Sequence, residues 1–564
     1  MNGAGGKLRA IALPLALVLV TAVLGLPALR VFFSLDDHLF LERAAGLVPW
    51  DEGIRRLLSV RVFFTAAWRL FGDNAAGYHL AVLSIHALNG WLVTRVARRL
   101  GLGGSAAAAA GLAFVAAPAA FTVLHWISCI QEALLACGAL LTTLLVMDGR
   151  LPAALAASVL VLLCKESGAL LLPALALALP MTRRRRLLLG AGGVAVAAAL
   201  LAVMGAFAPR AAGNPYETAL GPNILANLFT YLAWLGRPWD WFPDRVAAPA
   251  PQLWAWGLVP IAAAVAVAWG SPVRRRALLR GALVFLALLA PVLPLVRHSY
   301  LYYLYLPLVP VWILAAAVLD AAPGRLRRAV WALPVCLVLL SGWQGQQRRT
   351  ATIAEGVLAD PVLRYAATAR GMVVDLRAAG AEGDLLIVGP PAAGPVDLVG
   401  AGDPASEAAR EVFLLAGRAL DDGRSVPVFL PKVTSAELLV DIGEATPWRD
   451  RKLYLTRGEG RLHHLGDGPA GRRKLSAYFF RTGDLPRARR EVGALLALAP
   501  DDPFLIGDLG AIALAGGRTA EADSILTQLD ELVRRETVPG GAAASRDDLA
   551  RRIAAERGRE AGAR

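Results

Sequence analysis

Long apolar runs alternate with short polar segments along the first two thirds of the chain. Most runs have about 15 to 22 residues, the length that an α-helix needs to cross a bilayer core. The pattern therefore predicts a mainly α, polytopic membrane protein with about eleven transmembrane helices. The runs cover residues 11–29, 79–97, 105–124, 127–147, 151–164, 167–181, 187–207, 252–270, 277–296, 301–320 and 329–345.

Basic residues between the runs predict the orientation of these helices. Cytoplasmic loops are enriched in Lys and Arg, and a cytoplasmic N-terminus places every basic cluster on that side. The clusters are Lys7 and Arg9, then Arg95, Arg98 and Arg99, then Arg183–Arg186, Arg274–Arg276 and Arg325–Arg328. The first apolar run exceeds a signal-peptide core and lacks an A-x-A cleavage site, so it is expected to remain as the first helix. The C-terminal region is then extracytoplasmic.

Composition agrees with a membrane protein and excludes several other classes. The hydrophobic fraction is 56% and the mean hydropathy is +0.52, both too high for an ordinary soluble domain. The net charge of +14 does not indicate nucleic acid, because the basic residues follow the loops and no binding motif accompanies them. The four cysteines lie in apolar runs without paired spacing, which argues against disulfides. Abundant Ala, Arg and Gly suggest a bacterial inner (cytoplasmic) membrane protein.

Two segments outside the apolar runs have their own predicted structure. Residues 208–251 form an extracytoplasmic loop, in which 222–236 is apolar but too short to cross comfortably. We expect an interfacial or re-entrant helix there, anchored by Trp234, Trp239 and Trp241. Beyond the transmembrane domain (1–345), residues 346–470 predict a small α/β region with strands at 384–388, 425–430 and 452–456.

The last segment, 471–564, contains a sequence repeat. The sequence from residue 475 matches the sequence from residue 509 at an offset of 34. Leu475, Ala477, Gly483, Ala488 and Leu495 recur as Leu509, Ala511, Gly517, Ala522 and Leu529. This period, with small residues where paired helices meet, predicts a tetratricopeptide-like helical region that binds an acceptor or a partner protein. The final residues, 537–564, are expected to form a frayed or helical tail.

Polar and ionisable residues lie at the predicted extracytoplasmic ends of several spans. Such residues at membrane depth usually face a bundle interior or a water-filled cavity, so they are candidate functional positions. At the ends of spans they are Asp36, Asp37, His38, His79, His125, Lys165, Glu166 and Arg297; His86 and Asn89 lie on the same side of the second span as His79, and His298, Tyr300, Tyr302, Tyr303 and Tyr305 follow Arg297.

Each of these positions also has an ordinary structural interpretation. Asp is common at the start of a solvated loop, and Lys165 with Glu166 fits a tight hairpin with an incidental ion pair. An interfacial aromatic belt explains the tyrosines almost as well as a substrate groove does. Zinc is not indicated, because no two histidines have the i, i+4 spacing of a zinc helix.

Several segments together resemble the GT-C membrane glycosyltransferases. They occur in a suitable order: "LDDHLFLE" at 35–42, "GDNAAGYHLAVLSIHALNGWLV" at 72–93, "WIS" at 126–128 with Glu132 beyond, "CKESGALLLP" at 164–173 and "YLYLP" at 303–307. The resemblance covers residues 1 to about 345. It is greatest to protein O-mannosyltransferase-like proteins that carry C-terminal tetratricopeptide repeats.

The resemblance implies transfer of a sugar, mannose among the candidates, from a polyprenyl-phosphate carrier to an extracytoplasmic hydroxyl of a protein, lipid or glycan. It implies that Asp36 is the general base of an inverting transfer, with Asp37 in support, because a hydroxyl needs a carboxylate to accept its proton. Lys165 and Arg297 are candidates for binding the donor phosphate. The supporting cavity residues are His38, His79, His86, Asn89, Glu132, Glu166, His298, Tyr303 and Tyr305.

Departures from the family pattern leave the acceptor and any metal ion open. Ala120 and Thr122 stand where relatives tend to have His and Glu, and Ile130 and Tyr302 stand where Arg is common. No cofactor is assigned, and a divalent ion (Mg²⁺ or Mn²⁺) stays an open alternative.

Two other functional classes fit parts of the pattern. A polysaccharide polymerase or O-antigen-ligase-like enzyme also has many spans and a large outer loop, although such enzymes use Arg and His rather than an early acidic pair. A non-enzymatic scaffold would use the repeat to recruit envelope proteins, but then intramembrane His86 and Lys165 have no explanation. A transporter is least favoured, because the sequence has no apparent inverted repeat.

Overall fold

The structure, a computed structural model, divides into two units of packed elements, residues 1–366 and 367–564. The division falls inside the helix Pro361–Ala378. The residues that the structure describes are 4–51, 53–206, 217–236, 255–269, 271–296, 299–320, 327–351, 358, 360–389, 419–439, 442–443, 446–457, 461–535 and 541–562.

The first unit is built from helices, as the apolar runs predict, and the last of these helices continues into the second unit. In chain order they are α1 (Ala4–Gly25), α2 (Asp36–Ala44), α3 (Phe63–Phe71), α4 (Ala75–Arg99), α5 (Gly104–Ala116), α6 (Ala120–His125), α7 (Ile130–Met147), α8 (Leu151–Cys164), α9 (Leu171–Ala178), α10 (Arg183–Ala206), α11 (Pro222–Gly236), α12 (Leu258–Ala268), α13 (Pro272–Leu289), α14 (Leu308–Asp320), α15 (Arg327–Thr350) and α16 (Pro361–Ala378).

Within the described residues, four helical segments are long and apolar enough to cross a membrane: Ile11–Arg30, Ala75–Arg99, Ile127–Met147 and Arg183–Gly205. Several other predicted runs form shorter or interrupted helices. The run 105–124 is divided around Pro118, where the chain leaves α5 before α6 begins. The total of eleven spans therefore stays a prediction.

Helix α4 packs against α1, α5 and α7 and thus lies inside the first unit. Glycines bring it close to α5: a Cβ atom at Gly111 would lie 2.5 Å from the carbonyl oxygen of Gly90. Small residues at a crossing let two backbones approach, which is how helices gain packing contacts in an apolar environment.

The segment 222–236 forms a helix, α11, as its composition predicts. Its buried Asn227 amide donates hydrogen bonds to the carbonyl oxygens of Leu293 and Leu295, at 2.8 and 2.7 Å. These bonds fix α11 against the turn that follows α13. Trp239 and Trp241 lie outside the described residues, and the interfacial placement stays a prediction.

The second unit contains the predicted α/β region. Strands β1 (Gly383–Val388), β2 (Val433–Leu439), β3 (Lys452–Arg457) and β4 (Arg461–Asp467) form one sheet in the order β2-β1-β3-β4. β1 is parallel to both neighbours, and β3 and β4 form an antiparallel pair. The strand predicted at 425–430 is wrong: Val426–Phe429 is a short helix, α17, with Pro427 in its first turn.

The repeat corresponds to two helix pairs. α18 (Gly468–Arg481) and α19 (Leu485–Leu496) form the first pair, and α20 (Pro503–Ala515) and α21 (Thr519–Arg535) form the second. Gly483 and Gly517 occupy the same turn position in the two pairs, with φ of +82° and +73°. The predicted tail forms a further helix, α22 (Gly541–Gly562), whose Leu549 and Ile553 are buried. The structure thus has two helix pairs where the repeat predicts them, while the tetratricopeptide-like assignment and the binding of an acceptor or a partner protein stay predictions.

Candidate active site

The acidic pair begins helix α2 and its two side chains are in different environments. Leu35, just before the pair, has φ of +51°, a left-handed conformation that is rare for a residue with a branched side chain. Asp36 is exposed, whereas Asp37 is fully buried. Backbone strain at this point is consistent with a functional constraint on where the two carboxylates point.

Asp37 is held by three hydrogen bonds. Its carboxylate accepts from the backbone N–H of Ser34 (2.9 Å), from the backbone N–H of Ser128 (2.7 Å) and from the Ser128 hydroxyl. Burial raises the pKa of Asp37 to about 7, although these hydrogen bonds act in the opposite direction. Asp37 therefore joins the start of α2 to the segment that precedes α7.

Asp36 lines a small pocket with residues from four other parts of the chain. The polypeptide around residue 56, the segment 126–132, the α8–α9 connection and the 3₁₀ helix Leu301–Leu304 all contribute to it. The lining residues are Asp36, Arg56, Trp126, Ser128, Cys129, Gln131, Glu132, Lys165, Tyr302 and Tyr303. The pocket thus brings together three of the predicted charged residues.

Lys165 is the buried cation of this pocket. Its ammonium group pairs with the carboxylate of Glu132, and the two side chains are only 9% and 4% exposed. The ammonium nitrogen also lies 4.8 Å from the ring centre of Tyr303 and 5.7 Å from that of Tyr302. A buried charge needs such compensation, because the loss of hydration costs several kcal/mol per ion.

Lys165 and Glu166 are not paired with each other in the structure. Glu166 instead accepts from Arg55 and Arg56, with closest N–O distances of 3.1 and 2.8 Å. Arg56 has φ of +53° and also lines the pocket. Glu166 therefore ties the loop after α2 to the α8–α9 connection, and Lys165 ties the same connection to α7.

Three predicted cavity residues form a separate hydrogen-bonded group inside the helices. The Nδ1 atom of His86 lies 2.7 Å from the Tyr305 hydroxyl, and its Nε2 lies 3.1 Å from the carbonyl oxygen of Val115. Nε2 must carry the proton to donate to a carbonyl, so Nδ1 accepts from Tyr305. Asn89 donates to Tyr305 at 3.3 Å. This group stabilises the packing of α4 and does not line the pocket.

The remaining predicted residues are placed elsewhere. His38 is buried next to the acidic pair, and burial lowers its pKa to about 3, so its ring is neutral at physiological pH. His79 is buried in α4 with Nδ1 at 2.8 Å from the carbonyl oxygen of Leu124. Arg297 and His298 lie outside the described residues.

Sequence reasoning gave no site role to five lining residues of the pocket: Arg56, Trp126, Ser128, Cys129 and Gln131. Ser128 belongs to the "WIS" segment already singled out, whereas Arg56 had no signal beyond its place in the first outer loop. As for metal ions, the described part of the chain contains no group of three or more His, Cys, Asp or Glu side chains that could hold one.

Comparisons with known proteins do not establish a family. No family model and no curated protein matches the chain. Among solved structures, it is similar to the crystal structure of ArnT from Cupriavidus metallidurans bound to undecaprenyl phosphate, with 18% identity, a TM-score of 0.39 and coverage of 76% of this chain and 75% of that chain. A likeness at this level establishes neither a shared fold nor a shared activity.

Proposed function

We propose that the chain is a GT-C-type membrane glycosyltransferase. It would transfer a sugar from a polyprenyl-phosphate donor to a hydroxyl acceptor on the extracytoplasmic side. The observation that supports this most is one pocket that contains an exposed carboxylate, Asp36, together with a buried ammonium group, Lys165. Transfer between a phosphate leaving group and a hydroxyl nucleophile needs both kinds of group.

In this proposal Asp36 is the general base. The acceptor oxygen attacks the anomeric carbon, the bond from that carbon to the donor phosphate oxygen breaks, and the hydroxyl proton passes to the Asp36 carboxylate. Exposure to the pocket suits this role, because the carboxylate must reach an incoming hydroxyl. Buried Asp37, fixed by Ser34 and Ser128, acts as a positioning residue for the strained turn that presents Asp36.

The departing lipid phosphate gains negative charge and needs a cation. Lys165 lies in a mostly buried position, where a cation stabilises such charge more than it would in water. Its partner Glu132 compensates the ammonium charge. During transfer we expect the ammonium group to interact with both the Glu132 carboxylate and the departing phosphate. Arg56 is a second cation in the pocket, held by Glu166. Arg297 is proposed as a further ligand of the donor phosphate, although it lies outside the described residues.

The sugar and the acceptor are finer parts of the proposal. Mannose and a protein hydroxyl are the candidates that the resemblance to protein O-mannosyltransferase-like proteins suggests. The two helix pairs of the second unit are proposed to bind the acceptor or a partner protein, because paired helices of this kind present a continuous surface. We place the protein in the bacterial inner membrane, with the N-terminus cytoplasmic and the C-terminal region extracytoplasmic.

Turnover of a labelled donor tests the function. The purified full-length chain in proteoliposomes is incubated with polyprenyl-phosphate sugars labelled in the sugar, and with envelope extract from cells that lack the protein. We expect label in a protein, lipid or glycan fraction, with release of one polyprenyl phosphate per sugar transferred. A folded protein that turns over none of a panel of hexose and pentose donors would contradict the proposal.

A truncation separates the transferase from the scaffold alternative. A variant without residues 471–564 should keep turnover on a small hydroxyl acceptor, because the pocket residues lie in the first unit. A scaffold has no turnover to keep and depends on the repeat for every function.

A further inference from the structure

A second, apolar cavity lies between helices of the first unit. It has a volume of about 300 Å³, at the lower end of the range for ligand pockets. Residues from α4, α7, α9, α13 and α14 line it, and nearly all of them are aliphatic. They include Val96, Leu140, Leu175, Val284 and Ile313, and one cation, Arg280. The interior therefore suits hydrocarbon rather than a polar metabolite.

The cavity extends from near the candidate active site toward the opposite end of the helices, since Leu306 lines it three residues beyond Tyr303 of the pocket of Asp36. Helix α7 contributes to both, with Glu132 in the pocket of Asp36 and Met147 in the apolar cavity. Fifteen residues separate these two positions, which at 1.5 Å per residue is about 22 Å. The Met147 end of the cavity is therefore far from that pocket and lies beside the basic segments that the sequence predicts on the cytoplasmic side.

Two arginines lie at or near the cavity. Arg280 lines it, and exposed Arg276 lies one turn earlier on the same face of α13, since residues four apart are neighbours on a helix. Two carboxylates at this end are already engaged: Asp148 pairs with Arg99, and Asp320 accepts from the N–H of Gly103 at 2.9 Å.

We propose that the cavity binds an anionic glycerophospholipid. One acyl chain would occupy the apolar interior, and the headgroup phosphate would lie between Arg280 and Arg276. Guanidinium groups suit this because they form paired hydrogen bonds to phosphate oxygens. Trp269, which is 80% exposed just before α13, fits the interfacial level at which such a headgroup lies. The headgroup position at Arg280 and Arg276 lies away from the donor pocket, and the proposal does not depend on the proposed transferase activity.

Native mass spectrometry of the full-length protein tests the proposal. The protein is titrated with phosphatidylglycerol and, separately, with zwitterionic phosphatidylcholine of the same chains. We expect phosphatidylglycerol to bind with a stoichiometry of one and at least roughly tenfold more tightly. Equal binding of the two lipids would overturn the proposal.

Two variants and a matched control locate the site. Arg280→Gln should weaken phosphatidylglycerol binding about tenfold, because it removes a charge-assisted contact. Arg275→Gln removes an arginine about 140° away around α13 and should leave binding unchanged. Ala277→Phe, at an exposed position that lines the cavity, should block it and abolish the tight binding.

Three outcomes would assign the cavity differently. Equal effects of Arg280→Gln and Arg275→Gln would mean binding by diffuse surface charge. Retention of tight binding in folded Ala277→Phe would exclude the cavity as the acyl site. Displacement of phosphatidylglycerol by a lower concentration of polyprenyl phosphate would assign it to the donor's own chain. Each of these results contradicts an anionic glycerophospholipid site.

Discussion

The Asp37 carboxylate accepts hydrogen bonds from both the backbone N–H and the hydroxyl of Ser128. This contact joins the loop after α1 to the segment before α7, two stretches that are far apart in the chain. The two carboxylates of the acidic pair therefore have different environments. Asp37 is buried and fixes the backbone, while Asp36 is exposed at the pocket. A further bond extends the link, since the Ser34 hydroxyl donates to the carbonyl oxygen of Val362 at 3.1 Å.

Asp37 should make stability depend on pH. Its pKa is raised from 3.8 to about 7, mainly by burial, so the native protein retains this proton at pH values where the unfolded chain has lost it. Stability contributed by the protonated form is therefore lost as pH rises from about 4 to about 7, and it levels off above that range. The melting temperature of the wild type, measured against Asp37→Asn in the same detergent, should fall across this window. A difference that is constant with pH, or that rises, would contradict the assignment.

The buried pair of Lys165 and Glu132 should behave as one unit. Removal of the ammonium group in Lys165→Met leaves an uncompensated buried carboxylate, which costs about 3–5 kcal/mol. We expect the double variant Glu132→Gln/Lys165→Met to melt at a higher temperature than Lys165→Met alone. Removal of an exposed pair, Arg535 and Glu531, provides the control, because surface pairs contribute only about 0–1 kcal/mol. A double variant less stable than the single one would show that the two charges are not coupled.

A second buried cation, Arg349, should be irreplaceable by lysine. Its guanidinium group pairs with Asp360, donates to the Thr122 hydroxyl at 2.9 Å and lies 3.9 Å from the ring centre of Phe121. A lysine cannot reproduce this planar set of contacts, so Arg349→Lys should destabilise by about 2 kcal/mol or more. The neighbouring, exposed Arg348→Lys should have little effect on the melting temperature. Equal effects of the two variants would contradict this role for Arg349.

The sequence predicted the elements better than it predicted their contacts. Apolar runs located the helices, and the repeat at residues 475 and 509 located two helix pairs. The strand predicted at 425–430 was wrong, because the apolar residues there belong to a short helix, Val426–Phe429, with Pro427 in its first turn. Hydrophobic periodicity cannot distinguish a strand from a helix over so few residues. The sequence analysis missed β4, because this edge strand is largely exposed and its sequence contains charged residues and two histidines rather than an apolar run.

The pocket could be predicted only in part. Asp36 and Lys165 were recognised because a charge within or beside an apolar run is unusual, and Glu132 was recognised through the family resemblance. Arg56 was not, because an arginine in a polar loop looks like any solvated residue until folding places it beside Glu166. His86 and Asn89 looked equally functional in the sequence, yet their partners are Tyr305 and backbone carbonyls. Contacts between segments far apart in the chain decide which polar residues line the pocket. A single sequence does not reveal those contacts.

The turn glycines of the repeat should be sensitive to alanine. Gly483 and Gly517 have positive φ with no atom within 4 Å of an added Cβ, so the cost comes from the backbone alone. Each change to alanine should destabilise the local helices by about 1 kcal/mol. Gly493→Ala, inside α19 and equally uncrowded, should instead stabilise by up to about 1 kcal/mol. Hydrogen exchange of α18–α21 in the full chain measures whether each substitution raises or lowers the local stability. A change in the same direction at the turn glycines and at Gly493 would contradict the turn assignment.

The central claim is that Asp36 accepts the proton of the acceptor hydroxyl. The most direct measurement is the transfer rate of Asp36→Asn from a labelled polyprenyl-phosphate sugar, at equal amounts of membrane-inserted protein. Asp51→Asn, a change of an exposed carboxylate in the same loop, is the matched control. We predict a loss of at least about 100-fold for Asp36→Asn with donor binding retained, and normal transfer for Asp51→Asn. Wild-type transfer by Asp36→Asn would contradict the account.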